Sequence, residues 1–215
     1  MTNSRRNFIK QLSVSSAALA AGSLSACTAS SDGRDVAHVS TNTNPLIVPK
    51  AQGLKITGTF LDEISHDIVH QNWGEQEWDR DFAHMKAIGI DTVIVIRSGY
   101  RKFITYPSEY LMKTFGCYMP SVDLIDMYLR LADKYDMKFY FGLYDSGKYW
   151  DTGDMSWEID SNLFVIEEVW KKYGHHKSFG GWYLSQEISR ATKGAINAFA
   201  SLGKQCKEVS GGLPT

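Results

Sequence analysis

The sequence predicts an α/β protein of the (β/α) TIM-barrel type, with about four N-terminal βα units and a disordered signal and tether before them. Short apolar runs alternate four times with segments of helical periodicity after residue 53, which is typical of a parallel sheet with right-handed crossovers. No Gly-x-Gly-x-x-Gly follows the first run, and no Gly-Lys-Ser phosphate loop occurs. Nucleotide-binding open sheets therefore lack support, and the alternation favours a barrel over a doubly wound sheet.

The four predicted strands are short and apolar. They span residues 54–61, 91–97, 138–143 and 179–185. Runs of this kind are typical of parallel strands that are buried on both faces. The chain's last residues, 211–215, resemble the opening of a fifth strand.

The four predicted helices are recognised by apolar residues that recur every three or four positions. The first spans residues 75–88. The second is expected to begin after Ser121, whose hydroxyl is placed to cap it, and the third to end at Gly174 in a left-handed conformation. The residues expected on the four buried faces are Trp78, Phe82 and Met85; Ile125, Tyr128, Leu129 and Ala132; Ile159, Leu163, Ile166, Trp170 and Tyr173; and Ile196, Phe199, Gly203 and Cys206.

The first 52 residues predict an export signal and a tether. The segment 4–10 (Ser-Arg-Arg-Asn-Phe-Ile-Lys) is a twin-arginine pattern, and 24–27 (Leu-Ser-Ala-Cys) matches a lipobox. Residues 1–26 are therefore predicted to be a lipoprotein signal, with lipid on Cys27, and residues 27–52, rich in Ser, Thr and Asn, a flexible tether. Residues 53–215 form the predicted domain. The mature chain is expected in the cell envelope, lipid-anchored to a membrane after twin-arginine export.

Charge and cysteine usage exclude several classes of function. The formal net charge of −1 becomes −4 when the three basic residues of the signal are removed, and no basic patch indicates a nucleic-acid partner. Cys117 and Cys206 lack CxxC spacing, and are expected to be small buried residues or to form a disulfide. His66 and His70 are four apart but lack the Glu of a zinc protease. No metal and no cofactor is expected.

Glu187 is the leading catalytic candidate. It ends an apolar run that begins at Gly180, and α/β barrels keep their chemistry at the carboxyl ends of strands. The proposed role is that of a general acid/base. In the simpler interpretation, Glu187 caps the next helix or pairs with Arg190.

Other polar side chains follow the remaining strands. Asp62 and Glu63 follow the first, Arg97 closes the second and Asp145 follows the third. All are expected at the same mouth, where the carboxylates bind sugar hydroxyls, cap helices or serve as a second catalytic carboxylate. Arg97 is placed to hold a carboxylate in a bidentate contact, or to form an ordinary salt bridge.

Aromatic side chains gather in the same segments. Trp73, Tyr144 and Trp150 lie outside helical periodicity, and rings of this kind stack on the C–H faces of sugars. Packing within the scaffold is the alternative for each of them. The expected ligand or substrate is a glycan.

Several segments carry a family resemblance: 58–62 with Trp73, 85–94, 106–108, 141–144, and 181–184 leading to Glu187. Through them, residues 54–215 resemble a family of secreted bacterial barrel proteins of unassigned function that look like glycoside hydrolases. In retaining barrel glycosidases to which the family is similar, the fourth strand ends in Asn-Glu, and the Asn holds the sugar 2-hydroxyl. The resemblance implies that role for Gln186, whose extra methylene displaces the amide.

The resemblance also places a nucleophile on a seventh strand, so the second carboxylate is expected outside this chain. The chain is then the front half of a barrel, arising as a truncation, an incomplete gene product or a half-barrel that pairs with itself. The predicted function is that of a glycoside hydrolase acting on a glycan of the cell envelope. The alternatives are a non-catalytic glycan-binding lipoprotein and an inactive fragment. Open sheet edges predict self-association.

Overall fold

The computed structural model describes residues 53–65, 68, 70, 72–190 and 192–215. The predicted signal, the tether, Cys27 and His66 lie outside the described residues. Within the described part of the chain, no helix is long and apolar enough to cross a membrane.

The described elements alternate between one to three strands and one or two helices. In chain order they are β1 (Gly58–Leu61), α1 (Glu75–Ala87), β2 (Thr92–Val95), β3 (Gly99–Tyr100), β4 (Phe103–Ile104), α2 (Glu109–Phe115), α3 (Leu124–Tyr135), β5 (Lys138–Gly142), β6 (Tyr144–Asp145), α4 (Lys148–Thr152), α5 (Ser156–Tyr173), β7 (Phe179–Tyr183) and α6 (Ala195–Val209).

The main sheet confirms the predicted class. Its four strands are parallel and lie in the order β1-β2-β5-β7, each beside the one that precedes it. A doubly wound sheet reverses its strand order, whereas a barrel adds each strand on the same side. The chain is therefore a partial (β/α) barrel, with the four predicted strands at slightly shorter bounds.

The sheet is strongly curved. The rings of Phe60 on β1 and Tyr183 on β7 meet edge to face, with centroids 5.2 Å apart, although β1 and β7 are the outer strands. In a flat sheet these strands would lie about 14 Å apart, at 4.7–4.9 Å per neighbour. Such contact across the concave face is expected of part of a barrel wall.

The convex face carries the hydrophobic core. Trp78, Phe82 and Met85 of α1 are buried as predicted, and α1 packs against α3. All four residues predicted for the buried face of α3 are buried. The periodicity of these two helices was sufficient to predict their buried residues, because each helix presents one continuous apolar face.

The buried faces of the last two helices differ from the prediction. On α6, Gly203 and Cys206 are buried as predicted. Ile196 is 83% exposed, and the other buried residues, Ala195, Ala198 and Leu202, define a face turned away from it. Small side chains on this face let α6 approach α5 closely. On α5, three polar residues at inward positions are buried beside the apolar ones: Glu158, Ser161 and Asn162.

Two predicted helix termini are wrong. Asp123 caps α3, because its Oδ1 accepts the Asp126 N–H at 3.1 Å, and Ser121 lies before the cap. Gly174 ends α5 with a φ of −63°, in the right-handed region. Glycine is needed there for close approach, since a Cβ would lie 2.6 Å from the Trp170 carbonyl oxygen.

The segment between Ser98 and Pro120 contains two short strands, β3 and β4, and the helix α2. Strands β3 and β4 form a tight antiparallel hairpin, and β3 also pairs in parallel with β6. Ser108 caps α2 by accepting the Leu111 N–H at 3.1 Å. The hairpin therefore extends the mouth of the barrel beyond the carboxyl ends of β2 and β5.

Cys117 and Cys206 are both buried and free. Near the end of the described chain, the Trp182 N–H donates to the Pro214 carbonyl oxygen at 2.9 Å. The last residues thus lie along the outer edge of β7, where a next strand would pair.

Candidate functional site

Arg97 joins two of the predicted site carboxylates. Its Nη1 lies 3.1 Å from Asp145 Oδ2, and its Nη2 lies 3.1 Å from Glu187 Oε1. Arg97 follows β2, Asp145 ends β6 and Glu187 follows β7, so three separate segments meet at the carboxyl end of the sheet. The predicted bidentate clamp is therefore a bridge between two carboxylates, with one nitrogen for each.

Asp145 is the buried anchor of this bridge. Its side chain is fully buried; Oδ1 accepts the Gly147 N–H at 2.8 Å, and Oδ2 accepts the Tyr149 hydroxyl at 3.3 Å. Burial raises the pKa of Asp145, and the Gly147 N–H and Arg97 offset this only in part. With every contact directed inward, Asp145 holds Arg97 in place rather than facing a ligand.

Glu187 is the solvent-facing member. Its side chain is 63% exposed, and its backbone N–H donates to the Tyr149 hydroxyl at 3.1 Å. Tyr149 therefore connects the backbone of Glu187 to the carboxylate of Asp145. The Glu187 carboxylate is paired with a cation but remains reachable from solvent.

A glycine lets the strands approach closely enough to form the bridge. Gly142 in β5 lies against the end of β2, and a Cβ at this position would be 2.0 Å from the Val95 carbonyl oxygen. The Ser98 N–H also donates to the Gly142 carbonyl oxygen at 2.9 Å. This contact fixes the backbone on both sides of Arg97.

Gln186 and Tyr144 lie below the mouth. The Gln186 amide nitrogen donates to the Tyr144 carbonyl oxygen at 2.9 Å and to Glu158 Oε2 at 3.3 Å. Gln186 and Tyr144 are both buried, and the Tyr144 hydroxyl donates to the Arg101 carbonyl oxygen at 2.5 Å. In this arrangement their hydrogen bonds organise the scaffold, and the Gln186 amide does not extend toward solvent beside Glu187.

Glu158 supports this lower layer from α5. Its carboxylate accepts both the backbone N–H and the hydroxyl of Ser146, besides the Gln186 amide. Burial raises the pKa of Glu158, and the Ser146 hydrogen bonds offset part of that rise. Glu158 thus connects the segments that follow β6 and β7.

Asp62 and Trp73 lie at the end of β1. Asp62 Oδ1 accepts the N–H groups of Ile64 and Ser65 at 2.9 and 3.1 Å. Burial raises the pKa of Asp62, but hydrogen bonds from Ser65 and Ile64 outweigh it, so the pKa lies below its ordinary value. Trp73 packs on Trp78, with ring centroids 5.2 Å apart.

Trp150 extends the site on its exposed side. It is half exposed, and its ring centroid lies 5.0 Å from that of Tyr149. Trp150 therefore packs on a ring whose hydroxyl contacts both the Asp145 carboxylate and the Glu187 backbone. Among the described residues, no group of three His, Cys, Asp or Glu side chains gathers closely enough to hold a metal.

Two residues of the site were not selected from the sequence. Tyr149 lies four residues after Asp145 in the sequence, but Asp145 ends β6 and Tyr149 lies in α4, so the turn between them and not a helical spacing brings the two side chains together. Glu158 begins the polar stripe of α5, with Ser161 and Asn162 at the next turn. That stripe was the available signal, but only tertiary contacts distinguish it from a solvated face.

The arrangement can present the Glu187 carboxylate to a ligand while the Arg97 guanidinium holds that carboxylate in place. Carboxylates that share a guanidinium can lie at the separations of about 5 to 9.5 Å used in glycoside hydrolysis. Here, however, the second carboxylate is fully buried. The described residues therefore supply one exposed candidate, Glu187, and one positioning carboxylate, Asp145.

Comparisons with known proteins identify a family for this domain. Residues 56–215 match the family described as "Domain of unknown function (DUF4434)". Among curated proteins, no sequence matches this chain.

Two solved structures are similar to the chain. One is a crystal structure of a "putative alpha-L-fucosidase" from Bacteroides thetaiotaomicron VPI-5482, with 79% identity, a TM-score of 0.73, and coverage of 79% of this chain and 53% of that chain. The other is a family 39 glycoside hydrolase from Bacteroides cellulosilyticus WH2, with 11% identity, a TM-score of 0.42, and coverage of 71% and 30%. The chain thus spans about half the length of the Bacteroides thetaiotaomicron protein.

Proposed function

The chain belongs to the DUF4434 family, and we propose that it is the N-terminal part of a glycoside hydrolase acting on a glycan of the cell envelope. In this proposal Glu187 is the general acid/base, and the second carboxylate lies outside the described residues. The observation that carries it is the exposed Glu187 carboxylate at the end of β7, held by Arg97 on the buried anchor Asp145. Similarity to the Bacteroides thetaiotaomicron protein described as a "putative alpha-L-fucosidase" supports the same class.

Each residue of the site has a separate role in the proposed reaction. Glu187 exchanges a proton with the glycosidic oxygen, a transfer typically worth 10²- to 10⁴-fold in rate. Arg97 fixes the direction of the carboxylate, and Tyr149 fixes its backbone. Trp150 offers an exposed face for stacking of a sugar ring.

The test compares the full-length protein with its Glu187→Gln variant on a panel of aryl glycosides that includes α-L-fucosides. We expect kcat to fall by at least ~100-fold with little change in ligand affinity, because the amide keeps the shape but cannot transfer the proton. The matched control is Glu109→Gln, which also removes an exposed carboxylate paired with a cation, Lys113. Equal turnover by Glu187→Gln and the unsubstituted protein would exclude Glu187 from the mechanism.

A non-catalytic glycan-binding protein is the second candidate. One observation favours it: the carboxylate of Glu187 is already engaged by Arg97, as it is in a structural ion pair. Glycan binding by the full-length protein without turnover of any glycoside would support this function. Hydrolysis that depends on Glu187 would exclude it.

We further propose that the protein is an envelope lipoprotein exported by the twin-arginine route and anchored through Cys27. The support is the order of twin-arginine pattern, apolar segment and lipobox in residues 1–27. In cells, we expect Cys27→Ser to move the protein from the membrane to the soluble fraction and to abolish incorporation of labelled fatty acid. Cys117→Ser is the control, because that thiol is buried in the domain. Continued membrane association of Cys27→Ser would contradict the anchor.

A further inference from the structure

A cavity lies near the Glu187 site. It has a volume of about 290 Å³, and its wall contains three cations, Arg101, Lys102 and Lys148, and the aromatic rings of Phe115, Tyr144 and Trp157. We call it the basic pocket. Pockets for drug-sized ligands begin near 300 Å³, so the basic pocket has room for about one sugar ring.

The basic pocket and the Glu187 site share their supporting segments. Ser146, which lines the pocket, directly follows Asp145, and the Arg101 N–H donates to the Asp145 carbonyl oxygen at 2.9 Å. The ring of Tyr100 lies between the two sites, 5.5 Å from the Arg97 guanidinium and 5.2 Å from that of Arg101. A glycan could therefore occupy both sites with adjacent units.

The pocket's cations lack acidic partners. Among the described residues, no carboxylate forms an ion pair with Arg101, Lys102 or Lys148, whereas seven other arginines and lysines do. The nearest buried carboxylate, Glu158, already accepts hydrogen bonds from Ser146 and Gln186. The pocket thus presents positive charge in a chain whose formal net charge is −1.

Arg101 is held in an unfavourable backbone conformation. It lies in the turn between β3 and β4 with a φ of 55°, a left-handed region that is unfavourable for a non-glycine residue. Its carbonyl oxygen accepts the Tyr144 hydroxyl at 2.5 Å and the Cys117 thiol at 3.5 Å. Backbone strain of this kind is found at ligand-binding positions, and here it places a guanidinium at the pocket.

The aromatic wall is occupied by a lysine. Lys148 Nζ lies 2.9 Å from the ring centroid of Trp157, which is 42% exposed, and 5.8 Å from that of Phe115. A cation on an exposed ring is held only weakly. An anionic group on a ligand attracts Lys148 more strongly than the Trp157 ring does. Movement of Lys148 toward the anion would free the Trp157 face for stacking.

We propose that the basic pocket binds a sugar unit that carries one anionic group, a carboxylate or a sulfate. The two positive groups Arg101 and Lys148 pair with the anion, and Trp157 stacks on the ring. This inference rests on the proposed glycan-directed function, since it names the charge class of the glycan that the Glu187 site receives.

The test is calorimetric titration of the full-length protein with methyl β-D-glucuronide, glucose 6-sulfate and neutral methyl β-D-glucoside. We expect at least one anionic sugar to bind about tenfold or more tightly than the neutral one, because hydrogen bonds to charged groups are worth that factor. The tighter of the two anionic sugars identifies the anion. Equal affinity for all three sugars would overturn the proposal.

Substitutions in the basic pocket test whether its cations, and not other parts of the domain, bind the anionic sugar. Lys148→Gln and Arg101→Gln should each reduce the affinity for the anionic sugar, and with it the preference over the neutral sugar, by about tenfold. Lys113→Gln, on the exposed side of α2, is the matched control and should change neither. A preference that survives both pocket substitutions would also overturn the proposal. Thermal unfolding of each variant verifies that it is folded.

The two proposals fail in distinguishable ways. Glu187→Gln should abolish turnover and keep the preference for the anionic sugar. Lys148→Gln should remove the preference whether or not the protein hydrolyses any glycoside. Retained turnover in Glu187→Gln thus counts against the acid/base role alone, and absence of the preference counts against the pocket alone.

Discussion

Individual carboxyl groups around the mouth of the strands differ in how folding affects their ionisation. Burial raises the pKa of Asp145 and Glu158, whereas local hydrogen bonds lower that of Asp62. Glu63 is affected strongly: burial raises its pKa to about 7, although His70 and the nearby Tyr128 hydroxyl favour its ionised form. Its Oε1 lies 3.0 Å from His70 Nε2.

Glu63 should make the stability of the domain dependent on pH. Below its unfolded pKa of 4.5, the carboxyl is protonated in both states. Between 4.5 and about 7 only the folded chain keeps the proton, so the free energy of unfolding falls as the pH rises, by about 3 kcal/mol in total. Above about pH 7 Glu63 is ionised in both states, and the free energy of unfolding does not fall further on its account.

Glu63→Gln is neutral at every pH and should remove this dependence. We expect the variant to exceed the unsubstituted protein in free energy of unfolding by about 3 kcal/mol at pH 8 and by almost nothing at pH 4. Urea denaturation at pH 4, 6 and 8 measures the difference. Glu208→Gln, which removes an exposed carboxylate near Lys204, is the control and should stay within ~0.5 kcal/mol. A difference that is the same at all three pH values would contradict the assignment.

The sequence predicted the position of some site residues better than their contacts. Arg97, Asp145 and Glu187 follow strands, and their meeting at one mouth follows from the parallel order. Gln186 and Tyr144 were expected to face a ligand, but both are buried. The position of a residue after a strand is local information, whereas the direction of its side chain depends on partners such as Glu158.

At the scale of elements, helix boundaries depend on a few capping groups. The carboxylate of Asp123 accepts the Asp126 N–H at 3.1 Å and the Tyr173 hydroxyl at 2.7 Å. It therefore both begins α3 and attaches it to the end of α5. Ser121, the cap expected from sequence, lies outside the helix because Leu124 is its first residue.

Asp123→Ala should lower the free energy of unfolding by about 1–2 kcal/mol, because it leaves the first turn of α3 and the Tyr173 hydroxyl without their acceptor. Ser121→Ala is the matched comparison and should change stability by less than ~0.5 kcal/mol. Denaturant unfolding of the two variants side by side measures both effects. A larger loss for Ser121→Ala than for Asp123→Ala would refute the observed boundary.

At the scale of the whole molecule, no strand of the described residues pairs with the outer edge of β1 in the main sheet. The outer edge of β7 is partly covered by the Trp182–Pro214 hydrogen bond. On the concave face, Phe60 is 51% exposed and contacts only one ring, that of Tyr183, among the described residues. Open edges and exposed rings favour pairing with another chain.

We therefore expect the 215-residue chain to self-associate in solution, as the open edges predict. Light scattering after size-exclusion chromatography should give a mass that rises with protein concentration. Phe60→Ser should reduce the association, whereas Ile196→Ser, which removes an exposed apolar side chain from α6, should not. A mass that equals that of one monomer at every protein concentration would contradict the predicted self-association.

The sequence by itself determined the βα alternation, the buried faces of α1 and α3, and the presence of Glu187, Arg97 and Asp145 at strand ends. These features are local, because periodicity and the end of an apolar run are properties of a short segment. Only the tertiary structure decided that Arg97 bridges two carboxylates, that Gln186 is buried, and that Arg101 meets Lys148 and Trp157 in one pocket. Arg97 is 48 and 90 positions from its two carboxylate partners, and Arg101 is 47 positions from Lys148. Such separations are closed by the curvature of the sheet and the packing of its helices.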